Sequence, residues 1–482
     1  MIIQEKESTV TYTTIVLAST LISLFLFFMN PTLSVAFDSS KENIEWYAVF
    51  SQTIFEPNTF YIAESILLPL LAKVIHANGT TVAYRLLCGF LTISVLPILS
   101  VCYHVQHKNI FKTFFFTVIF ALSFKYLYDF RLGFPDPITI ILIAIATLTK
   151  RPVLIFVASF LATLSHFSMS LVAFVLLALA LLTQPRGDQT ATFKHISLTA
   201  LGLIAGKLFI YLWSFLFSYN LVTRTDWALE HGLTLFLNHY HASPTNFWLT
   251  PGIQFLLAYA AVTLFFIKWQ NLIFSTALLG ILGIAYLTNF FTVDGLRVFA
   301  VIIVGAYIFI LSLFIETFYP SIQACSKRYQ VAFNKNCVAI KEQALYISLG
   351  FPLTTLWLYV IDRCKSRGLL FNDPQLMATI GLTDRVMSGA LLIAALGLLV
   401  VAVTPHLREQ RLLSRMAKII FMLPLTIILI QGTRHVFAPN EGLTLMVKIF
   451  CAVVLILLPI FFSRLSLSRY VEAFRQHILL KI

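Results

Sequence analysis

The sequence predicts an all-α fold, a polytopic bundle of about fourteen transmembrane helices with short interfacial helices in the first external loop. Of its 482 residues, 59% are hydrophobic and only 11% are charged, which is more apolar surface than a soluble domain can bury. The apolar residues run in continuous blocks, unlike the short alternating segments of a membrane β-barrel. Because lipid offers the backbone no hydrogen-bond partner, these blocks are expected to span as helices.

Short polar connections separate the blocks and set the direction of each span. The first block lacks the basic start and the small-residue cleavage site of a signal peptide, so it is interpreted as a retained span. Lys and Arg collect in alternate connections, which places the N-terminus in the cytoplasm and the segment 31–82 outside. The predicted spans are 10–30, 83–103, 109–127, 136–149, 152–167, 169–183, 197–218, 251–267, 271–289, 297–316, 344–361, 386–404, 418–433 and 443–463.

The net charge of +13 is explained by these cytoplasmic Lys and Arg residues and does not indicate a nucleic-acid partner. The external segments carry the remaining charges of interest. In the first of them, the stretches 43–54 and 60–75 are amphipathic and suited to lie at the membrane interface. The external charged residues that bear on function are Asp38, Glu42 and Glu45 in "AFDSSKENIEWY", Asp129, Arg131 and Asp136 in "YDFRLGFPDP", Arg224, and Arg297 in "NFFTVDGLR".

A long first external loop with an acidic residue just after the first span resembles the GT-C class of polytopic glycosyltransferases. Here Asp38 is that residue, and "FYIAESILLPLLAKVI" followed by "AYRLLCGFLTI" is similar to the interface helix and second span of the class. The resemblance implies a GT-C-like enzyme of the cell inner membrane. It would move a sugar from a polyprenyl-phosphate carrier to a cell-surface glycan or lipid on the external, periplasmic face.

The resemblance covers residues 10–320 and suggests three parts for the chain. Residues 1–320 would form the catalytic transmembrane module, 321–343 a basic cytoplasmic loop, and 344–482 the C-terminal transmembrane helices. The direction of these last helices stays open. Counting spans from a cytoplasmic N-terminus places the connection 362–385 outside, yet this connection carries four basic residues, which are typical of the cytoplasmic side.

The segment "RLGFPDP" followed by "TKRPVLIFVASFLATLSHFSMSLVAF" carries a second resemblance. It is similar to the EpsG and Wzy type of surface-polysaccharide polymerase, in which an external Arg precedes one span and a His-x-Ser lies near the end of the next. Arg131, His166 and Ser168 stand in that order. The resemblance implies joining of lipid-linked repeats instead of transfer of one sugar, and both alternatives stay open.

Sugar transfer from a lipid phosphate needs a carboxylate near the acceptor hydroxyl and cations near the departing phosphate. Under the GT-C resemblance Asp38 is the base, with Glu45 as the second catalytic carboxylate. Arginine binds two phosphate oxygens through its planar fork. Arg131 and Arg297 are therefore the predicted phosphate ligands, with Arg224 in reserve.

Asp136 and His166 complete the predicted substrate-binding residues, and both have structural alternatives. Asp136 can pair with Arg131 to secure a loop, and His166 can hydrogen-bond a neighbouring helix. GT-C enzymes often hold a divalent cation with acidic residues, so Mg or Mn stays open as a cofactor. The expected partners are the polyprenyl-linked donor, the glycan or lipid acceptor and membrane lipids.

A transporter or flippase is the alternative from a different functional class. Transporters bury charges in mid-span, break helices at Gly or Pro, and repeat one half of the chain in the other. Lys207 is the main candidate for a deep basic residue here, but the halves do not resemble each other and the charges concentrate at the outer boundary. The sequence therefore favours interfacial chemistry over transport.

Overall fold

The fold is seen in a computed structural model, which describes residues 2–28, 42–57, 61–123, 134–184, 188–219, 230–234, 237, 280–281, 284–285 and 295–327. The secondary structure of these residues is helical and includes no strand, as the sequence predicts. The predicted C-terminal helices of 344–482, and the cytoplasmic loop from residue 328 onward, lie outside the described residues. The helices are α1 Ile2–Phe28, α2 Glu42–Gln52, a 3-10 turn Tyr61–Glu64, α3 Leu67–Val74, α4 Thr81–His107, α5 Ile110–Ser123, α6 Asp136–Leu148, α7 Pro152–Thr183, α8 Gln189–Leu216 and α9 Gly295–Lys327.

Within the described part of the chain, three helices are long and apolar enough to cross a membrane: α4, α7 and α8. Shorter apolar stretches lie in α1, α5, α6 and α9. A chain with this set of apolar helices is membrane-embedded. The predicted total of about fourteen spans depends on blocks beyond residue 219 that are largely outside the described residues.

Helix α7 reverses direction at His166, where the sequence divides it into two blocks. Its 32 residues would extend about 48 Å if straight, but His166 has non-helical dihedral angles, φ −162° and ψ 89°. The Ser170 hydroxyl donates to the Ala162 carbonyl at 2.8 Å, although these residues would lie about 12 Å apart along a straight helix. The first arm is therefore 152–165 and the second arm 167–183.

The second interfacial stretch, predicted as one helix over 60–75, is divided into the 3-10 turn and α3. Pro69 explains the division: its ring would clash with the carbonyl four residues earlier if the helix extended back through Ser65. In the first turn of α3, where no N–H is required, the proline is tolerated. Ala63 and Ile66 at this break are fully buried, so the segment packs onto the bundle.

Helix α8 runs parallel to the first arm of α7 and approaches it closely. A Cβ atom on Gly202 would lie 2.7 Å from the Phe156 carbonyl oxygen, and one on Gly206 would lie 2.6 Å from the Cβ of Thr163. The numbering rises together on both helices, which defines the parallel direction. Glycines four residues apart are a known means of bringing membrane helices into backbone contact.

The connections give the bundle two distinct ends. The covered end is where α2, the 3-10 turn and α3 pack beside the start of α6, the His166 turn and the end of α8. The basic end carries the connections α4–α5, α6–α7 and α7–α8. Exposed cations mark the basic end: Lys108, Lys150, Arg151 and Lys194.

Candidate functional site at the covered end

The His166 turn is the centre of the buried polar groups at the covered end. The His166 side chain is only 3% exposed, and its Nδ1 accepts a hydrogen bond from the backbone N–H of Met169 at 3.5 Å. This is the geometry of a helix N-cap, in which a side chain accepts from an N–H of the first turn. The imidazole therefore begins the second arm.

The capping role can be tested with a matched pair of substitutions. His166→Leu removes the acceptor and is expected to lower the unfolding free energy by about 1 kcal/mol, the usual contribution of an N-cap. His166→Asn supplies an oxygen acceptor and should retain most of that stability. Thermal unfolding in detergent measures both variants, and equal losses in the two would contradict the capping role.

The first turn of α6 contacts the His166 turn through backbone and hydroxyl groups. The Pro135 carbonyl accepts from the Thr139 hydroxyl at 3.0 Å and from the Ser165 hydroxyl at 3.3 Å. The two hydroxyls also lie 2.6 Å apart. Asp136, in the same turn of α6, is fully buried. The predicted substrate-binding residues Asp136 and His166 thus belong to one buried polar cluster.

A buried ion pair joins the 3-10 turn to α8. The Lys207 ammonium donates to Glu64 Oε1 at 2.7 Å, and the two side chains are 18% and 2% exposed. The ammonium also lies over two rings, 4.4 Å from the centroid of Phe167 and 4.9 Å from that of Tyr211. We call α2, the 3-10 turn and α3 the covering segment. Because Phe167 follows His166 directly, the Lys207 ammonium connects the covering segment with the His166 turn through a salt bridge and cation–π contacts.

Aromatic contacts secure the rest of the cover. Tyr47 of α2 packs edge-on against Phe134, just before α6, with ring centroids 5.6 Å apart. The Tyr219 hydroxyl, beyond the end of α8, donates to the Ile54 carbonyl. Burial raises the pKa of Tyr219, while a hydrogen bond from Trp213 lowers it in part. The phenol therefore remains protonated at neutral pH and can act as the donor.

Of the other predicted site residues, some lie outside the described residues and some lie on helices whose backbone alone is described at that position. Asp38, Arg131 and Arg224 lie outside the described residues. Glu45 lies on α2 and Arg297 on α9, where the backbone alone is described. Their predicted roles as base, second carboxylate and phosphate ligands stay predictions.

Two buried charged residues at the covered end are absent from the site residues that we predicted from the sequence. Glu64 is 2% exposed and Arg85, in the second turn of α4, is 1% exposed. Each interrupts an apolar stretch, "YIAESILLPLL" for the acid and "AYRLLCGF" for the base. A charge inside an apolar block is the signal that indicates them, because an ionised group in a membrane bundle needs a polar neighbour.

The described residues include no group of three or more His, Cys, Asp or Glu side chains arranged to hold a metal ion. These residues do not supply a ligand set for Mg or Mn by themselves.

Comparison with known proteins finds no relative: no family model matches the chain, and it has no significant match among curated proteins or solved structures.

Proposed function

We propose that the protein is an integral membrane glycosyltransferase that uses a polyprenyl-phosphate-linked sugar, with its site at the covered end facing the periplasm. The observation that supports this most is the contact between the first turn of α6 and the His166 turn, which gathers Asp136, Thr139, Ser165 and His166. Carboxyl, hydroxyl and imidazole groups are side chains that can bind the hydroxyl-rich surface of a sugar. The GT-C resemblance, which the sequence carries in its first external segment, is the second support for the proposal.

In this proposal the reaction is a displacement at the anomeric carbon of the donor. A carboxylate, assigned to Asp38, takes the proton from the acceptor hydroxyl, whose oxygen forms the new bond to that carbon. The bond from the same carbon to the phosphate oxygen breaks, and the polyprenyl phosphate leaves. Arg131 and Arg297 would stabilise the charge that develops on the leaving phosphate, and Asp136 and His166 would orient the sugar.

A polymerase of lipid-linked repeats is the second candidate. The specific observation in its favour is the hydrogen bond from Ser165 to Pro135. It joins Pro135 of "RLGFPDP" to the residue directly before "HFS", and these two segments carry the EpsG and Wzy resemblance. The chemistry is of the same class, but the acceptor would be another lipid-linked oligosaccharide.

The experiment is an analysis of surface glycans and lipid-linked sugars in a deletion strain complemented with variants. The strain receives the wild type, Asp136→Asn, Asp38→Asn or Arg131→Ala, and immunoblots show equal amounts of each protein. Loss of one sugar from an otherwise intact glycan in the deletion strain and the variants supports the transferase. Collapse of a polymer ladder to one repeat supports the polymerase. Unchanged glycans in the deletion strain would overturn both and favour a transporter.

The same strains give a quantitative prediction for Asp136. Its substitution by Asn keeps the shape and replaces the carboxyl by an amide, so we expect product to fall about a hundredfold, the usual scale when a substrate is misplaced by about 1 Å. Thr147→Val, near the other end of α6, is the control and should retain most activity, because its hydroxyl donates to the Ile143 carbonyl one turn earlier at 2.8 Å and lies away from the proposed site. Wild-type product levels in Asp136→Asn would remove this residue from the proposed site.

A further inference from the structure

A groove of about 190 Å³ lies between the second arm of α7 and the first half of α8. The wall on the second arm includes Leu171, Phe174 and Ala178, and the wall on α8 includes His195, Ala200 and Leu203. The groove runs from mid-bundle toward the basic end. It is thus separate from the site at the covered end, and its role is independent of the proposed function.

The lining of the groove is almost wholly apolar. Thr199 and His195 are its polar residues, and the Thr199 hydroxyl is satisfied by donating to the His195 carbonyl at 2.9 Å. Both helices that form the groove are apolar enough to span the membrane, so the medium that meets its opening is lipid. An apolar groove in that setting is suited to a hydrocarbon chain.

At the end nearer the basic end of the bundle, the groove meets polar and charged side chains. The His195 Nε2 atom is buried and hydrogen-bonds to no described residue. A buried ring nitrogen without a partner is unfavourable, so a polar ligand atom beside it would stabilise the site. The neighbouring residue Lys194 is exposed and supplies a positive charge at the same level.

The register of the helices brings further cations to this level. Gly202 of α8 lies against Phe156 of the first arm, so positions 194–195 are level with the α6–α7 connection. That connection carries Lys150 and Arg151, both exposed. An apolar groove whose end carries an imidazole and lies level with three cations matches a lipid with an anionic head group.

We infer that this groove binds one acyl chain of an anionic phospholipid, with Lys194 and His195 contacting the phosphate. The acyl chain occupies the apolar walls between the second arm and α8. The head group lies at the basic end, where it also meets the positive field of Lys150 and Arg151.

Native mass spectrometry of the full-length chain in detergent tests this inference. Dioleoylphosphatidylglycerol and dioleoylphosphatidylcholine are the two probes, added in equal amounts. The wild type is expected to retain one phosphatidylglycerol per chain. Ala178→Phe and Ala200→Phe fill the groove from opposite walls, and each is expected to reduce retention about tenfold. Leu201→Phe adds the same ring at an exposed position outside the lining and should bind like the wild type.

The charge at the end of the groove is tested separately. Lys194→Gln should keep the lipid but lose the preference for phosphatidylglycerol over phosphatidylcholine. Retention unchanged by both groove-filling variants would overturn the inference, as would equal binding of the two probes by the wild type. A polyprenyl phosphate is then added as a third, competing probe, and its retention in preference to phosphatidylglycerol would overturn the assignment to a phospholipid.

Discussion

Lys207→Met is expected to lower the unfolding free energy by about 3 kcal/mol, the usual scale when one partner of a buried ion pair is removed. The substitution leaves the Glu64 carboxylate buried without the ammonium that lies 2.7 Å from it. Because Glu64 is 2% exposed, water cannot replace the lost partner. Methionine keeps the length and apolar stem of the lysine, so packing against Phe167 and Tyr211 is largely preserved.

A double-mutant cycle separates the ion pair from other effects of the substitution. Glu64→Gln alone should be milder than Lys207→Met, because Lys207 is 18% exposed and can reach water. The combination Glu64→Gln with Lys207→Met should recover most of the loss, since neither charge is then buried alone. Unfolding is measured in detergent by tryptophan fluorescence. Wild-type stability in Lys207→Met would show that the pair does not secure the covering segment.

Gly202→Ala is expected to destabilise the bundle by about 2 kcal/mol through overpacking between α7 and α8. The new Cβ would lie 2.7 Å from the Phe156 carbonyl oxygen, a backbone atom that cannot rotate away. Gly206→Ala should act in the same direction, since its Cβ would meet Thr163 at 2.6 Å. Relief requires the two helices to separate, which also disturbs the placement of Lys207.

The control for this prediction is Gly79→Ala, where the added Cβ has nothing within 4 Å. That variant should match the wild type or gain slightly, because alanine reduces the freedom of the unfolded chain. The three single variants and the Gly202/Gly206 double variant are compared by thermal unfolding and by yield of monodisperse protein. A stable double variant would mean that α7 and α8 do not depend on this close approach.

The helices of the described region arise from local features of the sequence. The predicted span 83–103 corresponds to α4, whose start is set by Thr80, with its hydroxyl accepting from Ala83 at 3.1 Å. The predicted span 197–218 overlaps α8, which begins where Asp188 caps the N–H of Ala191. Because hydropathy and capping depend on neighbouring residues, the positions of these helices can be predicted without knowledge of tertiary contacts.

Part of the candidate site can also be predicted from the local sequence. Asp136 stands beside two prolines between apolar blocks, and His166 is an ionisable group late in such a block, so the sequence singles out both. The separate apolar blocks 152–167 and 169–183 predict the reversal of α7, although "LSHFSM" contains neither the Gly nor the Pro that usually indicates a break. The approach of the first turn of α6 to this reversal is not predicted, because the hydrogen bond from Ser165 to the Pro135 carbonyl joins residues 30 positions apart. The capping bond of His166 and the hydroxyl of Ser170 provide the hydrogen bonds at that reversal.

The sequence by itself determined the membrane-embedded helical class of this protein and the position of its first helices, because composition and hydropathy are summed over neighbouring residues. Only the tertiary structure decided which buried charges meet. Glu64 and Lys207 are 143 residues apart, and nothing in either local stretch specifies the other. Their pairing requires the parallel approach of α8 to α7 and the covering position of the 3-10 turn, and the low polarity inside the bundle then makes separation of the pair unfavourable.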